Sequence, residues 1–308
     1  MSSLPLDLLR PIVENLADDF RSLQAVSLGS HQLRVEGQRI LFRKAAFSYY
    51  RGGHSKFLTV VTSSSLLASL VEEYHQFDLL GRVDLHEPLW GLTCRGLQSM
   101  VNLKILVFRS WYGHPSAQIL HGCTFQLEAL KWESCDDEEL LLEFLIDQPH
   151  LHALKVDWKR PALDTSGVCP GLQVLHGDRN TINAFLPGRR VTSLKWTPNR
   201  DEVLLNHSID HLSEEFHYIR FFTFGGFWGR PRLDLVIRHL RAVEVLELVG
   251  LETLAVSVCL NFFFLRLCTL SHEPYHAYRT CNCSPKFLDC GCSSSHIKPT
   301  AAREVGYP

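Results

Sequence analysis

The sequence has almost no net charge and no long apolar run. Its 308 residues carry 31 Lys and Arg against 33 Asp and Glu, which gives a formal net charge of −2. A chain with this balance has no overall field that would attract nucleic acid or an anionic membrane. No apolar run reaches the ~18 residues expected of a membrane-spanning helix. The nearest, residues 254–270, is interrupted by Ser257, Asn261 and Arg266. We therefore expect neither nucleic acid nor a membrane among the partners.

Recognisable catalytic motifs are missing as well. The sequence has no Gly-x-Ser-x-Gly nucleophile elbow and no Gly-x-x-x-x-Gly-Lys loop for a phosphate. The Gly-rich stretch 225–229 lacks the strand–turn–helix spacing of a dinucleotide site, and we interpret it as a loop rimmed by aromatic residues. The sequence therefore predicts no catalytic residues and no cofactor, and it favours a protein that is not an enzyme.

Four of the ten cysteines are scattered through apolar surroundings, as buried reduced thiols usually are. These are Cys94, Cys123, Cys135 and Cys169. Reduced thiols are typical of the cytosol and the nucleus. The N-terminus also lacks the basic segment and apolar run of a secretory signal. We expect a protein of the cytoplasm, the nucleus or both.

Four further cysteines cluster in a C-terminal tail, residues 253–308, where the sequence changes character. They are Cys281, Cys283, Cys290 and Cys292. Four thiolates could hold Zn²⁺, but paired zinc ligands are usually separated by two to four residues, and here one residue separates them. The surrounding residues are rich in Ser, Pro and Gly, which is typical of disorder. We predict no metal site, and interpret the tail as disordered or as non-coding sequence joined to the gene by error.

The most informative stretch is residues 4–43, which contains three short segments with helical apolar spacing. The first comprises Leu4, Leu8, Leu9, Ile12 and Leu16; the second and third contain Leu23, Val26 and Leu33, then Ile40, Leu41 and Phe42. Three short helices bury too little surface to be stable alone. They must pack against the rest of the chain or a partner.

The order of these residues resembles the F-box of fungal F-box proteins. The likeness consists of Leu4-Pro5, Leu8-Leu9, Ile12, Leu16, Ser22-Leu23, Ser27-Leu28, Leu33-Arg34 and the closing string Gln38-Arg39-Ile40-Leu41-Phe42-Arg43. The resemblance implies an F-box over residues 1–45 that binds a Skp-type adaptor and, through it, a cullin. It implies adaptor contacts from Leu4, Pro5, Leu8, Leu9, Ile12 and Leu16, with Leu28, Leu33, Ile40 and Phe42 shaping the rest of the surface.

Two residues disturb the predicted helices. Gly29 falls where the second helix should be strongest, at a cost of about 1 kcal/mol relative to Ala. Pro11 falls inside the first helix, where an interior Pro costs about 3 kcal/mol. One way to accommodate Pro11 is a turn at residues 6–9 with the helix beginning at Pro11. The alternative to an F-box is a helical cap on a repeat protein that has no ligase role.

A second pattern, apolar-x-x-apolar-x-apolar, recurs from Leu103 onward, with successive copies beginning 19 to 28 residues apart. The copies are Leu103-Leu106-Phe108, Leu127-Leu130-Trp132, Leu151-Leu154-Val156, Leu172-Leu175-Gly177, Val191-Leu194-Trp196, Ile219-Phe222-Phe224 and Val243-Leu246-Leu248, with a weaker early copy at Leu80-Val83-Leu85. This spacing is typical of a leucine-rich-repeat solenoid, in which each copy supplies one strand and neighbours stack to bury a shared core.

The segments between the copies partly have helical patterns. An acidic start at residues 136–139 precedes an apolar run, and residues 181–186 and 232–242 also favour helices. Strands alternating with helices predict an α/β fold with parallel strands and helices on the outer face. We therefore expect a three-helix F-box at residues 1–45, an irregular leucine-rich-repeat solenoid at 46–252 and the tail at 253–308. A generic α/β domain with matching spacing is the alternative.

One outward-facing residue from each predicted strand should form a row across the sheet. The row is Val107, Lys131, Lys155, His176, Lys195, Thr223 and Glu247. The basic members, Lys131, Lys155, His176 and Lys195, could select an acidic or phosphorylated segment of a client protein. Alternatively, these lysines simply pair with acidic residues of the next outward row, such as Glu133 and Asp157, and form a solvated mixed-charge surface. We favour this second interpretation.

Taken together, the patterns predict a substrate-recognition subunit of a Skp–cullin–F-box ubiquitin ligase. The N-terminal helices would bind the adaptor and the repeats would hold an unknown client. The alternative is a stand-alone leucine-rich-repeat scaffold for protein interactions that has no link to ubiquitin.

Overall fold

The structure is a computed structural model that describes residues 6–48, 53–79, 83–110, 117–133, 137–160, 163–199, 209–225 and 236–249. The predicted tail, residues 253–308, lies outside the described residues, as do its four clustered cysteines. All statements below concern the described part of the chain.

Nine strands form one sheet in which every pair of neighbours is parallel and the spatial order equals the chain order. The strands are β1 Lys44–Ser48, β2 Glu73–Leu79, β3 Ile105–Ser110, β4 Ala129–Glu133, β5 Ala153–Val156, β6 Val174–Gly177, β7 Ser193–Trp196, β8 Phe221–Gly225 and β9 Val245–Val249. The sheet is open, because β1 and β9 are its two edges. The predicted α/β class with a parallel sheet is confirmed.

Helices precede the sheet and connect its strands. They are α1 Leu6–Glu14, α2 Phe20–Ser27, α3 His31–Arg43, α4 His54–Ser63, α5 Ser65–Ala68, α6 Val83–Ser99, α7 Glu138–Ile146, α8 Arg179–Phe185 and α9 Ser213–Phe216, with 3₁₀ turns at Ala117–Leu120 and Asp210–Leu212. The acidic start predicted at residues 136–139 is confirmed, since Asp137 precedes α7 and Glu138 and Glu139 form its first turn. The helix predicted at 181–186 corresponds to α8. That predicted at 232–242 lies partly outside the described residues, and those from 236 form only a short turn.

One face of the sheet is buried because the recurring apolar positions align strand to strand. The middle position forms one row, all of it buried: Tyr74, Leu106, Leu130, Leu154, Leu175, Leu194, Phe222 and Leu246. These side chains share a continuous core with helix residues such as Leu97, Leu145 and Phe185. The predicted inward direction of the apolar pattern is therefore confirmed.

Gly177 interrupts the third apolar position of the pattern, and the structure gives the reason. A Cβ atom at Gly177 would lie 2.5 Å from Cβ of Thr181. The Thr181 hydroxyl accepts a hydrogen bond from Trp158 N and donates one to the Val156 carbonyl. Thr181 therefore occupies the space that a side chain at position 177 would fill, and its hydrogen bonds connect α8 with β5 and the segment that follows it.

The weak early copy predicted at Leu80-Val83-Leu85 is wrong. Val83 and Leu85 belong to helix α6, and the preceding strand is β2 at Glu73–Leu79. The actual pattern there is Val71-Tyr74-Gln76, whose third position is polar, and a search for apolar residues passes over it. An even earlier copy, Phe42-Ala45-Phe47, coincides with β1 and was also missed.

The three predicted N-terminal helices are present, and α3 packs against both α1 and α2. They have a small core of their own, formed by Val13, Leu23 and Ile40 with half-buried neighbours around it. Gly29 does not lie inside a helix, because α2 ends at Ser27 and Ser30 caps α3 by accepting a hydrogen bond from Leu33 N. The predicted cost of a mid-helix glycine is thereby avoided.

The first helix does not begin at Pro11, which was considered above as one way to accommodate this proline. Helix α1 begins at Leu6 and continues through Pro11 to Glu14. Pro11 removes only one backbone donor from this short helix, and its own carbonyl still accepts a hydrogen bond from Asn15 N at 3.2 Å. The helix thus tolerates the proline near its middle.

Candidate functional site

The N-terminal helices expose an unusual number of large apolar side chains. Five of them have half or more of their surface accessible: Leu8, Ile12, Phe20, Leu28 and Val35. Leu8 and Ile12 are four residues apart in α1 and so share one face of that helix. Leu28, which follows α2, is 80% exposed. Clusters of exposed apolar side chains are typical of surfaces that bind other proteins.

The predicted adaptor-binding residues lie in several different environments. Leu8, Ile12 and Leu28 are exposed, and Leu16 and Leu33 are half-buried against the small helical core. Leu9 and Ile40 are buried, and Phe42 packs against the sheet core, with its ring centroid 6.0 Å from that of Phe57. Leu4 and Pro5 lie outside the described residues.

Leu9 therefore differs from the expectation that it contacts a partner directly. Its side chain is 7% exposed, so it supports α1 from inside. Conversely, sequence reasoning missed Phe20 and Val35, which are exposed on α2 and α3. Val35 lies outside the apolar stripe of α3, whereas Phe20 precedes Leu23 by three residues and therefore lies close to the apolar face of α2.

An ion network fixes α1 against α3. Glu36 is buried and accepts hydrogen bonds from Arg39 at 2.8 Å and from Arg10 at 3.4 Å, while Arg39 also reaches Glu14 at 2.7 Å. Burial by itself would raise the pKa of Glu36, but the two arginines outweigh it and hold the pKa below its usual value. This network keeps α1 in a defined position with Leu8 and Ile12 exposed.

Helices α2 and α3 approach each other closely at Gly37. A Cβ atom there would lie 2.1 Å from the Ser27 hydroxyl oxygen and 3.5 Å from the Leu23 carbonyl. Glycine is therefore needed at this crossing, and the two helices form one unit.

The second candidate site is the open face of the sheet. The predicted outward row is confirmed, because Val107, Lys131, Lys155, His176, Lys195, Thr223 and Glu247 are consecutive register partners. The row continues beyond Val107 to His75 on β2 and Ala46 on β1, which sequence reasoning did not include. The four predicted basic residues therefore lie side by side.

Glu133 neutralises much of the charge on two of these lysines. Its carboxylate lies 3.3 Å from Lys131 Nζ and also contacts Lys155 Nζ. Burial alone would raise the pKa of Glu133, but Lys155 and Lys131 outweigh it and keep the pKa below its ordinary value. Burial also lowers the pKa of Lys131, and the charge on Lys155 adds to this effect. The predicted pairing of Lys131 and Lys155 with Glu133 is confirmed.

His176 adds no positive charge to the row near neutral pH. Burial, together with the charges of Lys155, Lys195 and Lys131, lowers the pKa of His176 to about 2. Its Nε2 atom lies 3.1 Å from Thr197 Oγ1, whereas its buried Nδ1 atom has no hydrogen-bond partner in the structure. The neutral imidazole therefore lies in the row between Lys155 and Lys195.

On the other face of the sheet, a buried polar group is associated with β2. His54 Nε2 lies 2.6 Å from the Tyr74 hydroxyl, which donates a hydrogen bond to Gln76 at 2.7 Å. Burial lowers the pKa of His54 to about 4. The His54 ring also stacks on Phe47, with 4.8 Å between the ring centroids. These contacts satisfy polar atoms within the core and link α4 to β2.

The three described cysteines of the first predicted group are free thiols. Cys169 is buried, and Cys94 and Cys123 are half-buried; Cys135 lies outside the described residues. Burial raises the pKa of Cys169 to about 11 and that of Cys123 to about 12. Both thiols therefore stay protonated at neutral pH.

Within the described ranges, the structure holds no group of three or more His, Cys, Asp or Glu residues placed to bind a metal ion. None of the helices in those ranges has the length and apolar character to cross a membrane. The string His272-Glu273-Pro274-Tyr275-His276 has the letters of a helical zinc motif. It lies outside the described residues.

Two surfaces thus stand out, one apolar on the N-terminal helices and one polar on the open face of the sheet. Comparison of the chain with models of known protein families gives no match, and comparison with curated proteins gives none either.

Proposed function

We propose that this chain is a non-catalytic substrate-recognition subunit of a Skp–cullin–F-box ubiquitin ligase. The three N-terminal helices bind a Skp-type adaptor, and the strands with their connecting helices, as a leucine-rich-repeat-like solenoid, hold a client protein. The ligase chemistry belongs to other subunits.

The observation that carries the proposal is the pairing of a separate helical core with an exposed apolar surface. Val13, Leu23 and Ile40 form a core distinct from that of the sheet. The same helices leave Leu8 and Ile12 exposed on one face of α1. Burying two such side chains against a partner contributes roughly 1.5–3 kcal/mol for each of them. This arrangement suits a small module that docks onto another protein, and the resemblance to the F-box supplies the class of partner.

The sheet supports the client-binding half of the proposal. Its open face presents one continuous row of polar and charged side chains across β4–β9, positioned on a rigid scaffold of parallel strands. Surfaces with fixed side-chain spacing can select an extended segment of another protein.

The test is capture of a purified recombinant Skp-type adaptor by the full chain. Replacing Leu8 and Ile12 together by Asp should abolish capture, because charges would enter an apolar interface without partners. Leu9 is left unchanged, since a charge at this buried position would unfold α1 and confuse the result.

The matched control is the pair Leu66→Asp and Ile146→Asp, which alters two apolar residues on α5 and α7 that are somewhat more exposed than Leu8 and Ile12. This control should bind the adaptor as the parent does. Undiminished capture by the Leu8 and Ile12 variant would contradict the proposed interface. A parent chain that captures no adaptor would contradict the link to ubiquitin and favour a stand-alone interaction scaffold.

A further inference from the structure

The open face of the sheet has two electrostatically different halves. On β4 and β5, Lys131 and Lys155 share the carboxylate of Glu133, which is only 13% exposed. These two lysines already have a partner, and a ligand that engaged them would have to compete with it. The charge on this half of the row is therefore largely committed within the protein.

Lys195 on β7 is different, because it forms no ion pair or hydrogen bond through its side chain in the described part of the chain. Its neighbour on β6 is the neutral His176. The carboxylate of Asp178, directly after β6, already accepts hydrogen bonds from Thr181 and from Asn199. Lys195 is thus a half-buried cation whose charge is not balanced locally.

An apolar surface lies next to this cation. Phe221 of β8 is 47% exposed, and its register partner on β7 is Ser193. Ser193 comes two residues before Lys195, so Phe221 and Lys195 lie on the same face of the sheet. Val245 of β9 pairs with Phe221 and is half-buried, and Val249 farther along β9 is exposed. Neighbouring strands are about 4.8 Å apart, so one extended segment could contact Lys195 and Phe221 together.

The positive charge available on this part of the open face limits which anionic group can bind to it. Lys195 supplies one positive charge, and Glu247, two strands away on β9, supplies a negative one through a carboxylate that accepts a hydrogen bond from Thr223. A phosphorylated residue carries about −1.5 to −2 charges and would lack a second cation here. A carboxylate carries one negative charge and matches Lys195.

We propose that the open face of β7–β9, around Lys195 and Phe221, docks an extended segment of another protein that carries an unphosphorylated Asp or Glu beside a large apolar residue. This inference rests on the proposed function in that it gives the chemistry of the client. The carboxylate binds Lys195, and the apolar side chain packs on Phe221.

The experiment measures binding of short fluorescein-labelled peptides to the full chain by fluorescence anisotropy at low salt, where exposed charges are least screened. The probe is the amidated peptide Ser-Leu-Ser-Glu-Leu-Ser. Companion peptides carry Gln or phosphoserine in place of Glu, or Ser in place of both Leu residues, and one further peptide has Gln and a free C-terminus. The Glu peptide should bind the parent chain at least about threefold more tightly than the Gln peptide.

Lys195→Met retains the aliphatic stem but removes the charge, and it should weaken the Glu peptide about three- to fivefold while leaving the Gln peptide unchanged. Phe221→Ser should weaken both leucine-containing peptides about tenfold. The matched controls are Lys131→Met, which alters a lysine already paired with Glu133, and Ile146→Ser, which alters an exposed apolar residue on α7. Both controls should bind as the parent does.

Several outcomes would overturn the inference. They are equal binding of Glu and Gln peptides, equal losses in Lys131→Met and Lys195→Met, preference for the phosphoserine peptide or for the free C-terminus, and lack of measurable binding by any peptide. Adaptor capture is measured on the same preparations. A chain that captures adaptor but shows none of the peptide preferences would contradict this inference alone, whereas loss of adaptor capture would contradict the proposed function.

Discussion

The N-terminal helices and the sheet region differ in how much of their apolar side-chain surface they bury. The helices α1–α3 enclose a core of only three buried apolar residues and leave five large apolar side chains at least half exposed. The sheet and its helices share one continuous core that runs from Ala45 to Leu246, and their open face carries one row of polar and charged side chains across β4–β9. The difference indicates that the large core of the sheet region supplies most of the stability of the fold. The helical module buries less and has exposed apolar surface available for a partner.

The largest expected effect separates the sheet core from the surface. Leu154→Ala on β5 should lower the free energy of unfolding by roughly 2–5 kcal/mol, because Leu154 is buried in the central row and its loss leaves a cavity. Urea melts of the full chain measure this. The control Leu66→Ala, at a residue 70% exposed on α5, should change it by less than about 0.5 kcal/mol. Similar losses in both variants would contradict the burial of Leu154 in the sheet core.

The next prediction tests whether the helical module unfolds on its own. Leu23→Ala removes a buried side chain from the small core, and we expect a local loss of roughly 2–4 kcal/mol. Hydrogen exchange should accelerate in α2 and α3 while amides of β3–β7 keep their protection, because the two cores are separate. An equal increase in exchange across the sheet would show that the two regions behave as one cooperative unit.

Within the open face, Glu133 should matter more than an ordinary surface carboxylate. Glu133→Gln leaves two half-buried lysines without a counter-ion, which should cost roughly 1–3 kcal/mol. The matched control is Glu128→Gln, since the Lys104–Glu128 pair is half exposed and should contribute less than about 1 kcal/mol.

The stabilisation that Glu133 provides should also depend on pH. Because the folded chain holds the pKa of Glu133 below that of the unfolded chain, its contribution is present above the ordinary carboxylate range and is lost as the pH falls. The difference between the parent and Glu133→Gln in urea melts should therefore shrink toward pH 3. A difference that stays constant with pH would mean that the Glu133 charge does not stabilise the fold.

The smallest expected effect concerns the buried imidazole of His54 in the sheet region. Since burial lowers the pKa of His54 to about 4, the unfolded chain binds the proton more tightly. The free energy of unfolding should fall as the pH drops from about 6.5 toward 4, by about 1–2 kcal/mol at pH 5 for this group. His54→Gln should reduce this slope in urea melts. Equal slopes in the parent and His54→Gln would contradict the buried neutral state.

Much of the fold was predictable because it depends on local patterns. The spacing of Leu130, Leu154 and Leu194 predicted both the parallel strands and their buried face, and the strand register follows from the same spacing. Strand β2 was not predictable this way, since its third position is Gln76, which is buried despite its polarity. The helix start considered at Pro11 is not adopted, because propensity is a weak guide when tertiary contacts hold a short helix in place.

The rows, the faces and the pairing of two lysines with Glu133 were predictable, but the charge state of the other two basic residues was not. Lys131, Lys155, His176 and Lys195 form a row because each occupies the same position of a repeated pattern. The pattern could not decide which of them keeps an unbalanced charge. Likewise, it grouped Leu8 and Leu9 together, although only Leu8 is exposed.

The sequence by itself therefore determined the alternation of strands and helices, the direction of the apolar positions and the three N-terminal helices, because these follow from periods of a few residues along one chain segment. Tertiary structure alone decided that His176 stays neutral and that Lys195 has no counter-ion among the described residues. Burial and pairing depend on neighbours about twenty residues or more away in the chain, and these neighbours are defined only when the strands lie side by side.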